Sequence, residues 1–478
     1  MKYIKIITTA VIIFSLSACS KKVMTDINKD VNDPITVPAA NILPSAIIET
    51  AFGTTGTDIA WYASVFTEQS AGVDEQFYDA DRRNGVNAAS FANNSWNSLY
   101  DNLAVLKDII TKTSSDGIDP NPALKGMAQI LTAYNLAVAT DMWGDIPWSE
   151  ALMGSKNVHP KFDKQQDVYK AIFGLLDSAI VNLTGNSGSS VAAQDLIYSG
   201  SSSNWIKAAW SLKARYFMHL EKPVPSDIDS VLACIPKGFS SADDAFVFDK
   251  YEPTQIGQNP WFDFTYNERG DFAAGQTLYD LMSVRNDPRI DAYFVPIDNA
   301  GTIVPAPNGT ADRTRAGYGE YSYSNITAGS DADATVATPM MTYHELLFLQ
   351  TEALARKGQD FKPSLKAALE ANFVFHGLTS SAADAYYTSE VLPKLGTTLS
   401  GNLQEIMTQK YIAMYEQESI EVYNDVRRTG IPTMHNPNNN STNFGFPQRF
   451  PYPSSEVTAN PSNVPVVNIY KDKVWWAQ

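Results

Sequence analysis

Apolar residues recur at helical spacing along most of this chain, and the places where the pattern lapses divide it. After Asn121-Pro122, an N-cap residue followed by proline at the first helical position, Leu124, Met127, Leu131, Tyr134 and Val138 make one stripe leading to Trp143. Val168, Ile172, Leu175, Leu176 and Ala179 make a second. The spacing predicts two helices packed as an antiparallel pair. Between them, Asp141-Met142-Trp143-Gly144-Asp145-Ile146-Pro147-Trp148-Ser149-Glu150-Ala151-Leu152 reads as a helix stop and a rigid corner. Gly144 closes a helix with φ > 0, and Pro147 holds the residue before it extended. The two tryptophans bury apolar area, and Asp145 is expected to bond local amides that the broken helix leaves unpaired.

Shorter stripes fill most of the remainder. Asn41-Ile42-Leu43-Pro44 opens a helix to about Phe52, a turn follows over Gly53 to Thr57, and the next helix carries Trp61, Val65 and Phe66. Trp96, Leu99, Leu103 and Leu106 mark another from Asn94, and Trp205, Ala209, Leu212 and Tyr216 another after the Gly/Ser-rich surface loop 184–203. Thr342-Tyr343-His344-Glu345 fits the capping box, Gly358 supplies a stop, and a partner helix runs from Ser364 to about Phe375. The unit 342–377 is therefore close to the tetratricopeptide length of about 34 residues, without that repeat's signature positions. A last helix is expected over about 401–426. The fold class is mainly α: stacked helical hairpins with degenerate repeats.

Two regions depart from it. Residues 72–93 read as loop, and 222–338 as an irregular lobe of short apolar runs, with a strand at Ala245 to Phe248. Long irregular stretches on a helical scaffold carry function or wrap it. The tail from Ile431 is expected to strap the surface. The chain thus divides into one domain, 37–478, with scaffold at about 37–221 and 339–430, a ligand lobe at 222–338 and a strap at 431–478.

Composition narrows the class. The 478 residues are 44% hydrophobic and 18% charged, with a net charge of −16 and a pI near 4.8. That balance excludes a nucleic-acid role, which needs concentrated Lys and Arg. Lys2 and Lys5, the apolar run Ile6 to Leu16, and Leu16-Ser17-Ala18-Cys19 read as a signal peptide over 1–18 ending in a bacterial lipobox. Cys19 is then the lipidated N-terminus and 19–36 its tether, so the protein is expected to be water-soluble but anchored in a bacterial envelope. Cys234, the one cysteine left, reads as a buried inert thiol and excludes an internal disulfide.

No catalytic constellation emerges. His159, His219, His344, His376 and His435 lack metal-ligand spacing, and no nucleophile elbow, P-loop or dinucleotide fingerprint occurs. No cofactor is expected. Ser330-Asp331-Ala332-Asp333 looks like the start of a calcium loop but lacks the final glutamate, Thr342 standing in its place; a structural calcium has no specific motif behind it. Glu416, Glu418 and Glu421 beside Arg427-Arg428 are expected to form helix-surface and interlobe pairs. Aromatic residues are the stronger signal. Sugar rings stack their C–H faces on Trp and Tyr, while Asn, Asp and Arg bond hydroxyls. Such mixtures occur at Tyr78, Asp79 and Arg82; at Trp261, Asp263, Tyr266, Asn267 and Arg269; and at Tyr318, Tyr321 and Tyr323. From these, Tyr78, Arg82, Trp261, Tyr266, Asn267, Arg269 and Tyr321 are the candidate ligand residues, for an oligosaccharide or for a peptide.

Several features in order resemble the SusD/RagB family of nutrient-binding outer-membrane lipoproteins. They are the lipobox, Asn41 to Pro44, Trp96 to Tyr100, the Asp141 to Trp148 corner, Phe162-Asp163 leading to Val168-Tyr169, Ser211 to Tyr216, and Asp287-Pro288-Arg289. Glu345 to Arg356, Gln409-Lys410 to Pro432, and Pro447-Gln448-Arg449 with Tyr452-Pro453 continue the series. The resemblance implies about four tetratricopeptide-like hairpins, no catalysis, and a lipid-anchored place on the outer membrane facing the exterior. It further implies capture of glycans or other nutrients for a SusC-like TonB-dependent transporter. It carries over no binding residue. Two other classes stand beside it: a peptide- or protein-binding tetratricopeptide module of the same uptake machinery, and a secreted glycoside hydrolase, for which the sequence nominates no carboxylate pair.

Overall fold

The structure, a computed structural model, describes residues 37–89, 91–268, 270–315, 320–441 and 443–478. The signal segment, the tether with Cys19, Arg269 and Tyr318 lie outside the described residues. The helices used below are α1 (Ala39–Glu49), α2 (Asp58–Phe66), α3 (Glu75–Asp81), α4 (Asn93–Thr113), α5 (Pro122–Trp143), α6 (Gln165–Leu183) and α7 (Ser202–His219). They continue as α8 (Asp227–Cys234), α9 (Gln276–Ser283), α10 (Tyr343–Arg356), α11 (Lys362–Phe375), α12 (Leu399–Ala413) and α13 (Ser419–Thr429). Two short antiparallel ladders pair β1 (Ser70–Gly72) with β3 (Phe272–Ala274), and β2 (Phe246–Phe248) with β4 (Thr338–Met341).

The fold is mainly helical, and its hairpins follow the apolar stripes. Asn121 caps α5 by accepting from the Leu124 amide at 3.1 Å. Helices α5 and α6 run antiparallel: Gly126 packs on Leu183 so closely that a Cβ would stand 2.7 Å from its Cγ, while Gln165 donates to the Thr140 carbonyl at the opposite end. Trp96 meets Trp143 edge-on at 5.2 Å and joins α4 to the same stack. Tyr169 and Lys213 contacts pair α6 with α7; α10 packs on both α11 and α12.

At the corner, Gly144 ends α5 with φ +82°. Asp145 acts across the gap and not locally as expected. It accepts from the Gln165 amide at 2.9 Å and pairs with Lys164, so it caps α6, where the helix dipole favours a carboxylate. Asp163 returns the favour by accepting from the amides of Trp148 and Ser149.

Four expectations about the course of the chain need correction. Residues 72–93 are not all loop: α3 places Tyr78 on a helix too short to show periodicity. The lobe contains α8 and α9. The single helix over 401–426 is two, because Glu416 takes φ +55° and turns the chain. The tail does more than strap the surface: Phe450 and Trp476 are fully buried, and Trp143 Nε1 donates to the Pro451 carbonyl.

The Thr342 cap is half a capping box. Thr342 accepts from the Glu345 amide, but its own amide donates to Glu418. Glu345 is thereby released to pair with Arg215. Glu418, Glu421, Lys410, Asp425, Glu352 and Arg428 extend this network through the core. The glutamates expected at the surface are buried, because α7, α10, α12 and α13 converge there and bring opposite charges together.

Candidate functional site

The best candidate site grows from an aromatic core shared by α2, α3 and the segment 259–274. Trp61 stacks on Phe264 at 4.4 Å between centroids and meets Trp261 and Phe77 edge-on. Asn259 fixes the start of this segment: its Oδ1 accepts from the amides of Trp261 and Phe262, while its Nδ2 donates to the Val336 carbonyl. The chain then widens into a π-turn over Asp263–Glu268, a form frequent at functional sites.

That turn presents Tyr266 and Asn267 outward. Phe262 and Tyr266 stack at 4.7 Å with 20° between planes. Asn267 Nδ2 donates to Gln258 and Asp263, which fixes the amide against the turn. The Tyr266 hydroxyl bonds the Asp331 carboxylate, which holds its phenol above the usual range. Val73, Thr265, Phe272, Tyr321 and Tyr323 converge on a small crevice beside it. The result is a stacking face on a rigid base, rimmed by amide, carboxylate and phenol groups.

The sequence candidates separate within this geometry. Trp261 is 3% exposed and Tyr321 4%, so neither ring is a surface for ligand. Trp261 supports the platform from below. Tyr321 packs among Ala71, Val73 and Ala311, accepts from the Asp312 amide, and lies under the Arg315 guanidinium. Tyr78 is half-buried and covered by Arg82, whose guanidinium lies 3.4 Å from its ring centroid. Arg82 also donates to the Ala311 carbonyl, so this pair buttresses the loop over 306–315. Tyr266 and Asn267 remain outward, and Arg269 lies outside the described residues.

Sequence reasoning missed Phe262, Gln258 and Asp331 as members. Asp331 stood in the apparent calcium loop, where Ser330 and Asp333 in fact bond each other as a capping box. The Asn259-Pro260 pair, an N-cap followed by proline, was the available signal for the turn that displays Tyr266.

Among the described residues, Asp141, His219 and Glu421 have the spacing to hold a metal. Their atoms already satisfy one another. His219 lies between both carboxylates, Tyr169 and Trp476 donate to Asp141, and Asn424 donates to Glu421. Burial pushes the imidazole pKa down, but Glu421 and Asp141 outweigh it and hold it at about 9. The triad is a buried ion pair with little room for a cation.

A SusD-like family profile described as starch-binding and associating with the outer membrane matches residues 32–453. A SusD/RagB family protein from Bacteroides thetaiotaomicron is 35% identical; the match covers 92% of this chain and 99% of that one, with a TM-score of 0.83. Two more distant structures share the fold. One is a chitin-binding protein at 24% identity and TM-score 0.76, with 92% of this chain and all of that chain covered. The other is a chitin-binding SusD homologue from Flavobacterium johnsoniae at 20% identity and TM-score 0.75, covering 92% and 98%. No curated protein matches this chain.

Proposed function

Since the chain belongs to the SusD-like family, we propose that it is a non-catalytic glycan-binding lipoprotein that captures oligosaccharide at the outer surface and passes it to a TonB-dependent transporter. Lipidation at Cys19 would place it there, and no described helix is long and apolar enough to cross a membrane.

The observation that carries the binding claim is the Phe262–Tyr266 stack with Asn267, Gln258 and Asp331 around it. A sugar ring packed against the Phe262–Tyr266 pair gains dispersion and excludes water from its C–H face. Directional donors and acceptors at the rim bond its hydroxyls and select among rings of similar size. The base does not need to order on binding, because Trp61, Phe264 and Phe272 already pack it, so little conformational entropy opposes the complex.

Maltooligosaccharides and chitooligosaccharides, titrated separately by calorimetry, test the reading. Saturable binding of either that Tyr266→Ala weakens is the expected result. Release of shortened sugars during incubation would replace it with a hydrolase.

A further inference from the structure

A second cleft, of about 450 Å³, lies where the end of α13 meets the C-terminal segment, built from residues other than those around Tyr266. Its lining includes Lys222, Arg427, Arg428 and Lys473, and no carboxylate among the described residues. In a chain of net charge −16 that is an unusual concentration of one sign.

The cations are not all spoken for. Arg428 is paired through both terminal nitrogens with Glu352 and Asp425, yet its buried Nε has no acceptor. Arg427 is held by neutral acceptors, the carbonyls of Tyr423, Asp141 and Gln448 and the Asn424 amide oxygen. Lys222 donates to the Ala477 carbonyl, and Lys473 is exposed with no ion pair among the described residues. The two arginines suit the C-terminal end of α13, whose dipole favours positive charge. Lys222 and Lys473 come from elsewhere in the chain and have no such explanation. Burial is the main cause of a lowered Lys222 pKa; the neighbouring Lys473 adds to it and Glu221 opposes it.

Neutral chemistry completes the cleft. Thr433, Asn440 and Gln448 offer hydroxyl and amide groups, and Met434 and Phe446 an apolar wall. We propose that this cleft binds a small carboxylate-bearing sugar acid, its carboxylate between Lys222, Arg427 and Lys473 and its hydroxyls on the amide and hydroxyl rim. The volume fits one or two sugar rings. The site is independent of the Tyr266 platform.

The test is calorimetric titration of the purified full chain at low salt with sodium glucuronate, with glucose and sodium sulfate as comparisons. Two variants accompany it: Lys222→Ala with Lys473→Ala, both exposed positions, and Tyr266→Ala. We expect glucuronate to bind and glucose not to; the lysine pair should cost at least about tenfold in affinity while Tyr266→Ala leaves it unchanged. Absence of glucuronate binding, equal affinity in the lysine double variant, or sulfate binding as tightly as glucuronate would each overturn the proposal.

Discussion

Arg215 on α7 and Glu345 on α10 form a doubly hydrogen-bonded pair across 130 residues of sequence, with both side chains buried. Glu418 and Glu421 share the same guanidinium, so one cation holds three helices. Removing it leaves three buried carboxylates short of the cation they share. Arg215→Leu is expected to cost about 3–5 kcal/mol of stability, read as a lowered midpoint in urea unfolding. A change under about 1 kcal/mol would show that the network is dispensable.

His219 gives the stability a pH dependence of definite sign. Its folded pKa of about 9 lies above the ordinary value of 6.5, so its contribution is complete below about 6.5 and is lost as pH rises through 9. The shift corresponds to roughly 3 kcal/mol. His219→Gln should therefore be less stable than the parent at pH 6, with the gap narrowing by pH 10. A gap independent of pH would place the cause in packing.

The corner tolerates only glycine at its head. A Cβ on residue 144 would meet the Arg449 guanidinium at 2.8 Å, and φ is +82°. Gly144→Ala should cost about 1–3 kcal/mol in thermal or urea unfolding. The arginine's flexible end can give way, so the backbone strain is the larger part.

The scaffold was legible wherever burial leaves a stripe on one helix face. The Asn121-Pro122 start, the α5–α6 pair and the 342–377 hairpin stand as the spacing predicts. Length and charge hid the rest. Helix α3 has seven residues, too few for a period, and Glu416 reverses the chain with a side chain that gives no sign of left-handed backbone. The buried glutamates read as surface because their partners lie 70 to 200 residues away, as with Glu352 and Arg428 or His219 and Glu421. At the candidate site, composition found the aromatic cluster but not its layering. Trp261 and Tyr266 look equivalent in sequence, and only the turn after Asn259 sends one inward and one outward.

That layering yields a contrast between neighbours. Trp261→Ala removes a buried indole that touches Trp61 and Phe272, and should cost about 3–5 kcal/mol of stability. Tyr266→Ala, at a half-buried position, should change stability far less while weakening ligand. Comparable destabilisation by both would place Tyr266 in the core as well.

The central claim, that the face around Tyr266 binds glycan, is met most directly by one titration series. Maltooligosaccharides and chitooligosaccharides are titrated into the parent protein and into Tyr266→Ala with Asn267→Ala, whose fold is checked by circular dichroism. The account requires saturable binding to the parent and a loss of at least about tenfold in the double variant with the helical signal intact. Unchanged affinity in the double variant would contradict it, and would move the glycan site elsewhere on the molecule.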